Sequence, residues 1–333
     1  MKKLLLIVLL PCSFLFARHK ATIVEAPWLT GPLIVPTSRV TPWGQVNIEP
    51  FLYEYITTGN YDSHWHAQPL PNYYSFSPTF FAVVGLTSFM DFQFLIPCYY
   101  NSTEGVNDFQ FGDVTIGVDF QLLNIDAVRF LPGIKLGFNQ TFPSGKYNDL
   151  DPLKLQTDEG GYGSYITNIN LGLYKLLSFG GDFFMTIIAN ITALRYSHIP
   201  IKGFSSWGGG YGANAIVKPG MVYQAILSFE ASVSRHWAFA IDNVYQYAGK
   251  TTFSGYEGIP SSISAKNPGF TFGGQPVNSF SLASPSSQQF SIAPAIEYNF
   301  SVHCGIIAGC WFTVAGKNTS VFVTPIVAVD IFF

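Results

Sequence analysis

Charged residues are scarce in this sequence. Only 11% of its 333 residues are Asp, Glu, Lys or Arg, whereas about 25% are charged in an average soluble domain. A chain of this length can bury a large core, yet it lacks the charged surface that water-facing proteins normally carry. The shortage indicates that much of the folded surface faces something other than water. The net charge of −3 also offers no basic patch for nucleic acid.

Long hydrophobic runs are missing as well. Beyond residue 17, every apolar stretch is interrupted by Gly, Asn, Asp, Gln, Ser or Thr, while a membrane-spanning helix needs about 20 consecutive apolar residues. Inside hydrocarbon, backbone polar groups can be satisfied only within helices or within closed barrels. With helices excluded, the sequence predicts an all-β fold, a transmembrane antiparallel up-and-down β-barrel.

Alternation of apolar and polar residues supports this prediction. Segments with period two recur about twelve times between residues 43 and 333, as expected for the strands of a membrane barrel. The segment 112–123, for example, sets Val114 and Ile116 against Asp113 and Thr115. A soluble β-sandwich is the alternative, but its solvent face should carry more Lys and Glu. Here the polar face consists mainly of Gly, Ser, Thr and Asn, which suits a wet lumen.

The connections between the predicted strands give an independent indication. Long and short connections alternate along the chain, as expected for a barrel whose termini both lie in the periplasm. The longer, outer connections are predicted at 57–74, 101–111, 142–162, 196–214 and 250–288.

The N-terminus predicts export followed by a segment that does not match a strand. Lys2 and Lys3 precede the apolar run 4–10, and Ala17 ends a plausible cleavage site, so we expect residues 1–17 to be a signal peptide. Residues 18–42 carry four prolines, which oppose both helix and β-ladder. Two interpretations remain open for this segment, a periplasmic tail and a plug folded into the lumen.

Several short motifs lie between residues 109 and 177. They are Phe-Gly-Asp at 111–113, Pro-x-x-Lys-Leu-Gly at 132–137, Pro-Ser-Gly at 143–145 and Thr-Asp-Glu-Gly-Gly at 157–161. This part of the chain resembles the Gram-negative outer-membrane proteins of the family named after the meta-pathway of phenol degradation. The resemblance implies a transporter in the bacterial outer membrane. The architecture of that family is also similar to that of the fatty-acid and aromatic-hydrocarbon uptake barrels.

Inward-facing polar positions are the first group of candidate functional residues. The predicted lumen-facing residues are Glu49, Asp113, Asp119, Lys135, Asn139, Lys218, Asp242 and Glu297, and Asp330 belongs to the same set. Acidic residues outnumber basic ones, so an open lumen would mildly favour cations. In a barrel this narrow the charges could equally pair with one another across the lumen.

The loops and the C-terminus supply the remaining candidates. Phe204, Trp207 and Tyr211 are aromatic residues of an outer loop and are predicted to form an apolar entrance. The terminal aromatic residue, Phe333, is typical of the signal that the barrel-assembly machinery reads. Further expected partners are outer-membrane lipid, lipopolysaccharide and a small-molecule solute.

No pattern in the sequence points to catalysis, a cofactor or a metal. His64 and His66 lie near Asp62, but nothing at a definite spacing completes the three or four ligands that a metal site needs. The protein is therefore not expected to be an enzyme. The sequence predicts a channel or transporter for small hydrophobic or aromatic molecules. The alternatives are an adhesin-like surface barrel and a general diffusion porin, and the filling of the lumen should distinguish the three.

Overall fold

The computed structural model describes residues 29–37, 39–124, 131–259, 268–272, 275–278 and 281–333. The predicted signal peptide 1–17 and residues 18–28 of the proline-rich segment lie outside the described residues. The strands are β1 (Val46–Tyr61), β2 (Ala67–Thr87), β3 (Met90–Thr103), β4 (Val106–Phe111), β5 (Val114–Leu123), β6 (Gly133–Phe142), β7 (Ile166–Gly180), β8 (Phe183–Tyr196), β9 (Ile199–Lys202), β10 (Asn214–Lys218), β11 (Val222–Ser232), β12 (Trp237–Ala248), β13 (Thr252–Tyr256), β14 (Pro268–Phe272), β15 (Gln275–Asn278), β16 (Ser287–Ser301), β17 (Cys304–Lys317) and β18 (Thr319–Phe332). One 3-10 turn, Pro152–Lys154, lies between β6 and β7.

Twelve of the described strands close into an antiparallel barrel, and the predicted fold is confirmed. The ring runs β1-β2-β3-β5-β6-β7-β8-β11-β12-β16-β17-β18 and closes where β18 pairs with β1. At the end of that seam the Phe333 N–H donates to the Val46 carbonyl at 2.9 Å, and the Val46 N–H donates back at 3.2 Å. Closure satisfies the backbone groups that an open edge would leave bare in lipid.

The two faces of the barrel wall differ as the alternation predicts. Large apolar side chains such as Phe80, Ile191 and Phe239 are exposed on the outer face, where a lipid environment suits them. Inward neighbours such as Ser75 and Ser77 are buried in the lumen. Among the described residues, no helix has the length and apolar character needed to cross a membrane.

The connections differ from the prediction in several places: besides the two described next, β9 lies within the predicted connection 196–214, and β13, β14 and β15 lie within 250–288. The long loop predicted at 57–74 is mostly strand, because β1 extends to Tyr61 and β2 begins at Ala67. A register shift between Thr57 and Gly59 interrupts the period-two alternation there. For this reason the alternation did not predict the outer part of the strand. The predicted connection at 101–111 contains β4, which folds back to pair with the outer half of β3.

The placement predicted for Lys218 is wrong. The alternation predicts a single strand over 215–230, but the structure divides this stretch into β10 and β11. Pro219 and Gly220 separate them, since proline cannot donate to a ladder and glycine weakens a strand. β10 instead joins β9 and β13 in a small sheet outside the barrel ring. Lys218 is exposed there and is not a lumen residue.

A buried ion pair crosses the inner wall between β5 and β6. Lys135 Nζ lies 2.5 Å from Asp119 Oδ2, and the two side chains are only 2% and 3% exposed. Charges this deep are tolerable only when they are paired and hydrogen-bonded. These two predicted lumen residues therefore neutralise each other.

Breaking this pair should destabilise the barrel. We expect Lys135→Met to lower the free energy of unfolding by about 3–5 kcal/mol, because Asp119 would remain as an uncompensated buried charge. The measurement is urea unfolding of the refolded barrel in detergent. Lys250→Met, at an exposed lysine, is the control and should change little. Equal stability of the two variants would contradict the assignment.

Candidate functional site

A cavity of about 500 Å³ lies inside the barrel. Its volume lies within the range of small-molecule binding pockets, roughly 300–1,000 Å³. Aromatic side chains from several strands and from the loop before β7 contribute to its wall; they are Tyr53, Tyr55, Phe81, Tyr99, Tyr162, Tyr196, Trp311 and Phe322. Both its size and its aromatic lining suit a small solute, so this cavity defines the candidate site.

The inner face of β1 supplies an aromatic ladder. Phe51, Tyr53 and Tyr55 are alternate residues of one strand and therefore point to the same face. Consecutive rings stack with centroids 5.4 Å apart and interplanar angles of 13° and 12°. The sequence prediction placed large apolar residues on the lipid face and missed these inward rings. Their spacing of two was the available signal, but apolar residues also occupy the opposite face of β1.

A second aromatic group comes from β17 and β18. The rings of Trp311 and Phe322 meet edge to face with centroids 4.7 Å apart. Trp311 Nε1 donates to Ser291 Oγ at 2.9 Å, which satisfies the polar end of the indole. Both rings line the cavity beside the β1 ladder.

The N-terminal segment, residues 29–37 and 39–42, runs inside the barrel and bounds the cavity. Leu33 and Val35 are each 4% exposed and pack into two apolar clusters of the wall. Ile34 and Pro36 form part of the cavity surface. Arg39 lies 5.5 Å from the centre of the Tyr174 ring, a cation–π contact. The segment therefore fills the lumen on the side where the chain enters β1.

Backbone N–H groups hold this segment to carboxylates of the wall. Thr30 donates through its N–H and its hydroxyl to Glu297 Oε2, at 3.1 and 2.8 Å. The Ile34 N–H donates to Asp242 Oδ2 at 2.8 Å. Asp242 and Glu297, both predicted to face the lumen, thus bind the N-terminal segment.

Two further anchoring carboxylates escaped the sequence prediction. The Gly31 N–H donates to Glu230 Oε1 at 3.1 Å, and the Thr41 N–H donates to Asp91 Oδ2 at 2.7 Å. Period-two alternation could have identified both residues. Glu230 shares the inward face of β11 with Ser228 and Ser232, and Asp91 stands on β3 next to the tight turn that follows β2.

The opposite end of the cavity is closed by an outer cover, which we define as residues 143–165 and 197–213. Tyr162, Tyr196 and Trp207 pack together in its apolar cluster. Trp207 Nε1 donates to the Tyr162 carbonyl at 2.7 Å. Trp207, predicted at an exposed entrance, is therefore buried inside the cover.

The other two entrance candidates lie at the surface of the cover. Phe204 and Tyr211 meet edge to face with ring centroids 5.0 Å apart. Tyr211 is 56% exposed. These two rings leave an apolar patch open to the exterior.

Polar groups of the barrel wall fasten the cover. Asp113 accepts hydrogen bonds from the Gly145 N–H at 2.8 Å and from the Tyr162 N–H at 2.7 Å. Asn101 Nδ2 donates to the carbonyls of Thr157 and Glu159 at 3.0 and 2.8 Å. The predicted lumen residue Asp113 thus holds a loop in place.

The remaining candidates occupy separate positions. Asn139 lines the cavity and accepts from Gln93 Nε2 at 2.7 Å. Glu49 is half-buried in β1, outside the cavity lining. Phe333 is 69% exposed at the barrel seam. Its role as an assembly signal stays a prediction.

Comparison with known proteins places the fold. No protein-family model matches the chain, and the search of the curated proteins finds no match. Among solved structures, an outer-membrane channel from Pseudomonas putida F1 aligns with a TM-score of 0.66 at 15% identity, over 90% of this chain and 100% of that one. The chain has the fold of an outer-membrane channel. Membership of the family suggested by the sequence motifs remains a prediction.

Two other barrels align less well. The NanC porin gives a TM-score of 0.42 at 10% identity, over 85% of this chain and 98% of that one. The CymD monoaromatic hydrocarbon channel gives 0.39 at 7% identity, over 88% of this chain and 89% of that one. Similarities this low carry no argument about what the present barrel transports.

The outer cover should respond to pH through Glu159. Burial, with the neighbouring Asp158 charge, raises the pKa of Glu159 well above its usual value. In an opened cover the pKa would return to its usual range. Below that range Glu159 is protonated in both states, so its contribution to the stability of the closed cover is most favourable at low pH. This contribution should fall as pH rises through the interval between the two pKa values.

Glu159→Gln should remove this component of the pH dependence, because an amide carries no titrating charge. The measurement is trypsin cleavage within the cover as a function of pH, with protection expected to persist to higher pH in the variant. Glu104→Gln, at an exposed turn residue, is the matched control. A variant profile identical to the parent profile would contradict the role of Glu159.

Proposed function

We propose that this barrel lies in the outer membrane of a Gram-negative bacterium and passes small hydrophobic or aromatic molecules. The observation that carries the proposal is the cavity of about 500 Å³ walled by aromatic rings. Buried aromatic surfaces bind apolar rings through area burial and ring contacts. Membership of the phenol-degradation transporter family is part of the same proposal.

The filling of the lumen favours this function over the two alternatives. A general diffusion porin needs an open polar pore, whereas here the N-terminal segment crosses the lumen with Leu33 and Val35 buried. A surface platform needs only a packed interior, and the cavity argues against that. The half-buried ring of Phe204 and the exposed ring of Tyr211 also support this function, because an apolar patch at the surface would collect apolar solutes.

Conductance across a planar bilayer tests the role of the N-terminal segment. We expect the intact protein to pass little current and the variant without residues 18–42 to pass stable, larger steps. Removal would also expose Glu230, Asp242 and Glu297, so the new current should prefer cations. Substituting all three by Gln, Asn and Gln in the truncated chain should weaken that preference markedly while conductance stays high.

Other outcomes support the alternatives. Stable ohmic steps in the intact protein would indicate a porin. Silence in both forms would indicate a packed platform and would contradict the proposed role of the segment.

Uptake of an aromatic solute tests the function itself. Cells that produce the barrel should accumulate radiolabelled toluene faster than cells without it. Tyr55→Asp should reduce that gain by about tenfold, since a buried charge in the aromatic wall is costly. Tyr256→Asp, at a ring 54% exposed in β13, is the control, and both variants should keep the gel mobility of the folded barrel. No gain from the parent barrel would overturn the proposal.

A further inference from the structure

Two sets of side chains in the wall of the cavity differ in chemistry. The aromatic arc consists of Tyr53 and Tyr55 on β1, Trp311 on β17 and Phe322 on β18. These strands are consecutive around the ring, so the four rings occupy one side of the lumen. The other side carries the amide arc, which we define as Gln93, Asn139, Asn168, Gln224, Gln246 and Gln289, together with the rings of Tyr99 on β3 and Tyr196 on β8.

The first half of the amide arc forms one row across β3, β5, β6 and β7. Gln93 stands opposite Gly117, Gly117 opposite Asn139, and Asn139 opposite Asn168. A Cβ atom at Gly117 would lie 1.8 Å from Asn139 Oδ1. Glycine at this position thus leaves the space in which Gln93 Nε2 donates to Asn139 Oδ1 at 2.7 Å.

Asn168 ends this row with an unpaired oxygen. Its Oδ1 atom is buried and has no hydrogen-bond partner among the residues that the structure describes, although the residue lines the cavity. A buried acceptor left unpaired costs roughly 1–3 kcal/mol. A ligand with an N–H or O–H group could relieve that cost.

The second half of the amide arc is a row of three glutamines. Gln224, Gln246 and Gln289 stand in register on β11, β12 and β16. Gln224 Nε2 lies 3.4 Å from Gln246 Oε1, and Gln289 Nε2 donates to Thr319 Oγ1 at 3.1 Å. Side-chain amides both donate and accept hydrogen bonds. The amide arc can therefore donate to an oxygen of a neutral ligand or accept from its N–H or O–H group.

The described residues that line the cavity offer no positive charge to a ligand. Among the described residues that line it, Asp113 is the single Asp, Glu, Lys, Arg or His. Its two oxygens already accept from the N–H groups of Gly145 and Tyr162. An anionic ligand would lose its hydration here without gaining a counter-charge, which is strongly unfavourable.

Resting on the proposed function, we propose that the cavity selects uncharged aromatic molecules that carry a hydrogen-bonding substituent. The aromatic arc packs against the ring, and the amide arc receives the polar group. A bare hydrocarbon would leave Asn168 Oδ1 unpaired. A carboxylate would be rejected for its uncompensated charge.

Three probes of similar size separate these possibilities: benzyl alcohol, toluene and benzoate. Isothermal titration of each into nanodiscs holding the full chain, against empty nanodiscs, gives the affinities. We expect benzyl alcohol and toluene to bind and benzoate to show no binding. In Asn168→Leu the benzyl alcohol to toluene affinity ratio should fall about fivefold, the effect of one lost hydrogen bond.

Controls separate this inference from the function on which it rests. Gln224→Met, in the second amide row, should also lower the ratio and serves if Asn168→Leu fails to fold. Asn243→Leu, which bonds the Leu227 carbonyl outside the cavity lining, should leave the ratio unchanged. Binding of benzoate, or an unchanged ratio in both cavity variants, would overturn the inference alone. Absence of binding by all three probes would overturn the proposed function as well.

Discussion

In the narrow lumen of a twelve-stranded barrel, an inward carboxylate is costly unless it finds a hydrogen-bond donor within the protein. An ionised side chain removed from water costs several kcal/mol unless it is paired. Asp119 meets this constraint with Lys135. The sequence supplies few other cations, so most of the carboxylates that face inward accept from backbone N–H groups instead. The arrangement of the chain inside the barrel follows from that shortage.

The backbone donors come from two segments that enter the barrel from opposite ends. Near the start of β1, Glu230, Asp242 and Glu297 bind the N-terminal segment. At the other end, Asp113 binds residues 145 and 162 of the outer cover. The acidic groups are therefore engaged at the two closures, and amides and aromatic rings remain between them. The cavity is therefore poor in charge because the N-terminal segment and the outer cover already engage the carboxylates at its two ends.

The barrel itself could be predicted from the sequence because its signal is local. Period-two alternation and the rhythm of the connections identified all the strand pairs of the ring, apart from errors at strand ends. Lys218 was misplaced because alternation continues through β10, although Pro219 and Gly220 separate that strand from β11. The inward rings of Phe51, Tyr53 and Tyr55 were missed because both faces of β1 carry apolar residues.

The path of the N-terminal segment was harder to predict from the sequence, because the backbone N–H groups that anchor it occur in almost every residue type. The residues that indicate this path are glycines of the barrel wall. A Cβ at Gly85 would lie 1.9 Å from the Pro42 carbonyl oxygen, and one at Gly305 would lie 2.2 Å from Thr30 Cγ2. Glycine at these inward positions creates the space that the segment occupies. In the sequence alone, a glycine within a strand indicates a weak point of that strand. The contact with the N-terminal segment explains why glycine occupies these positions.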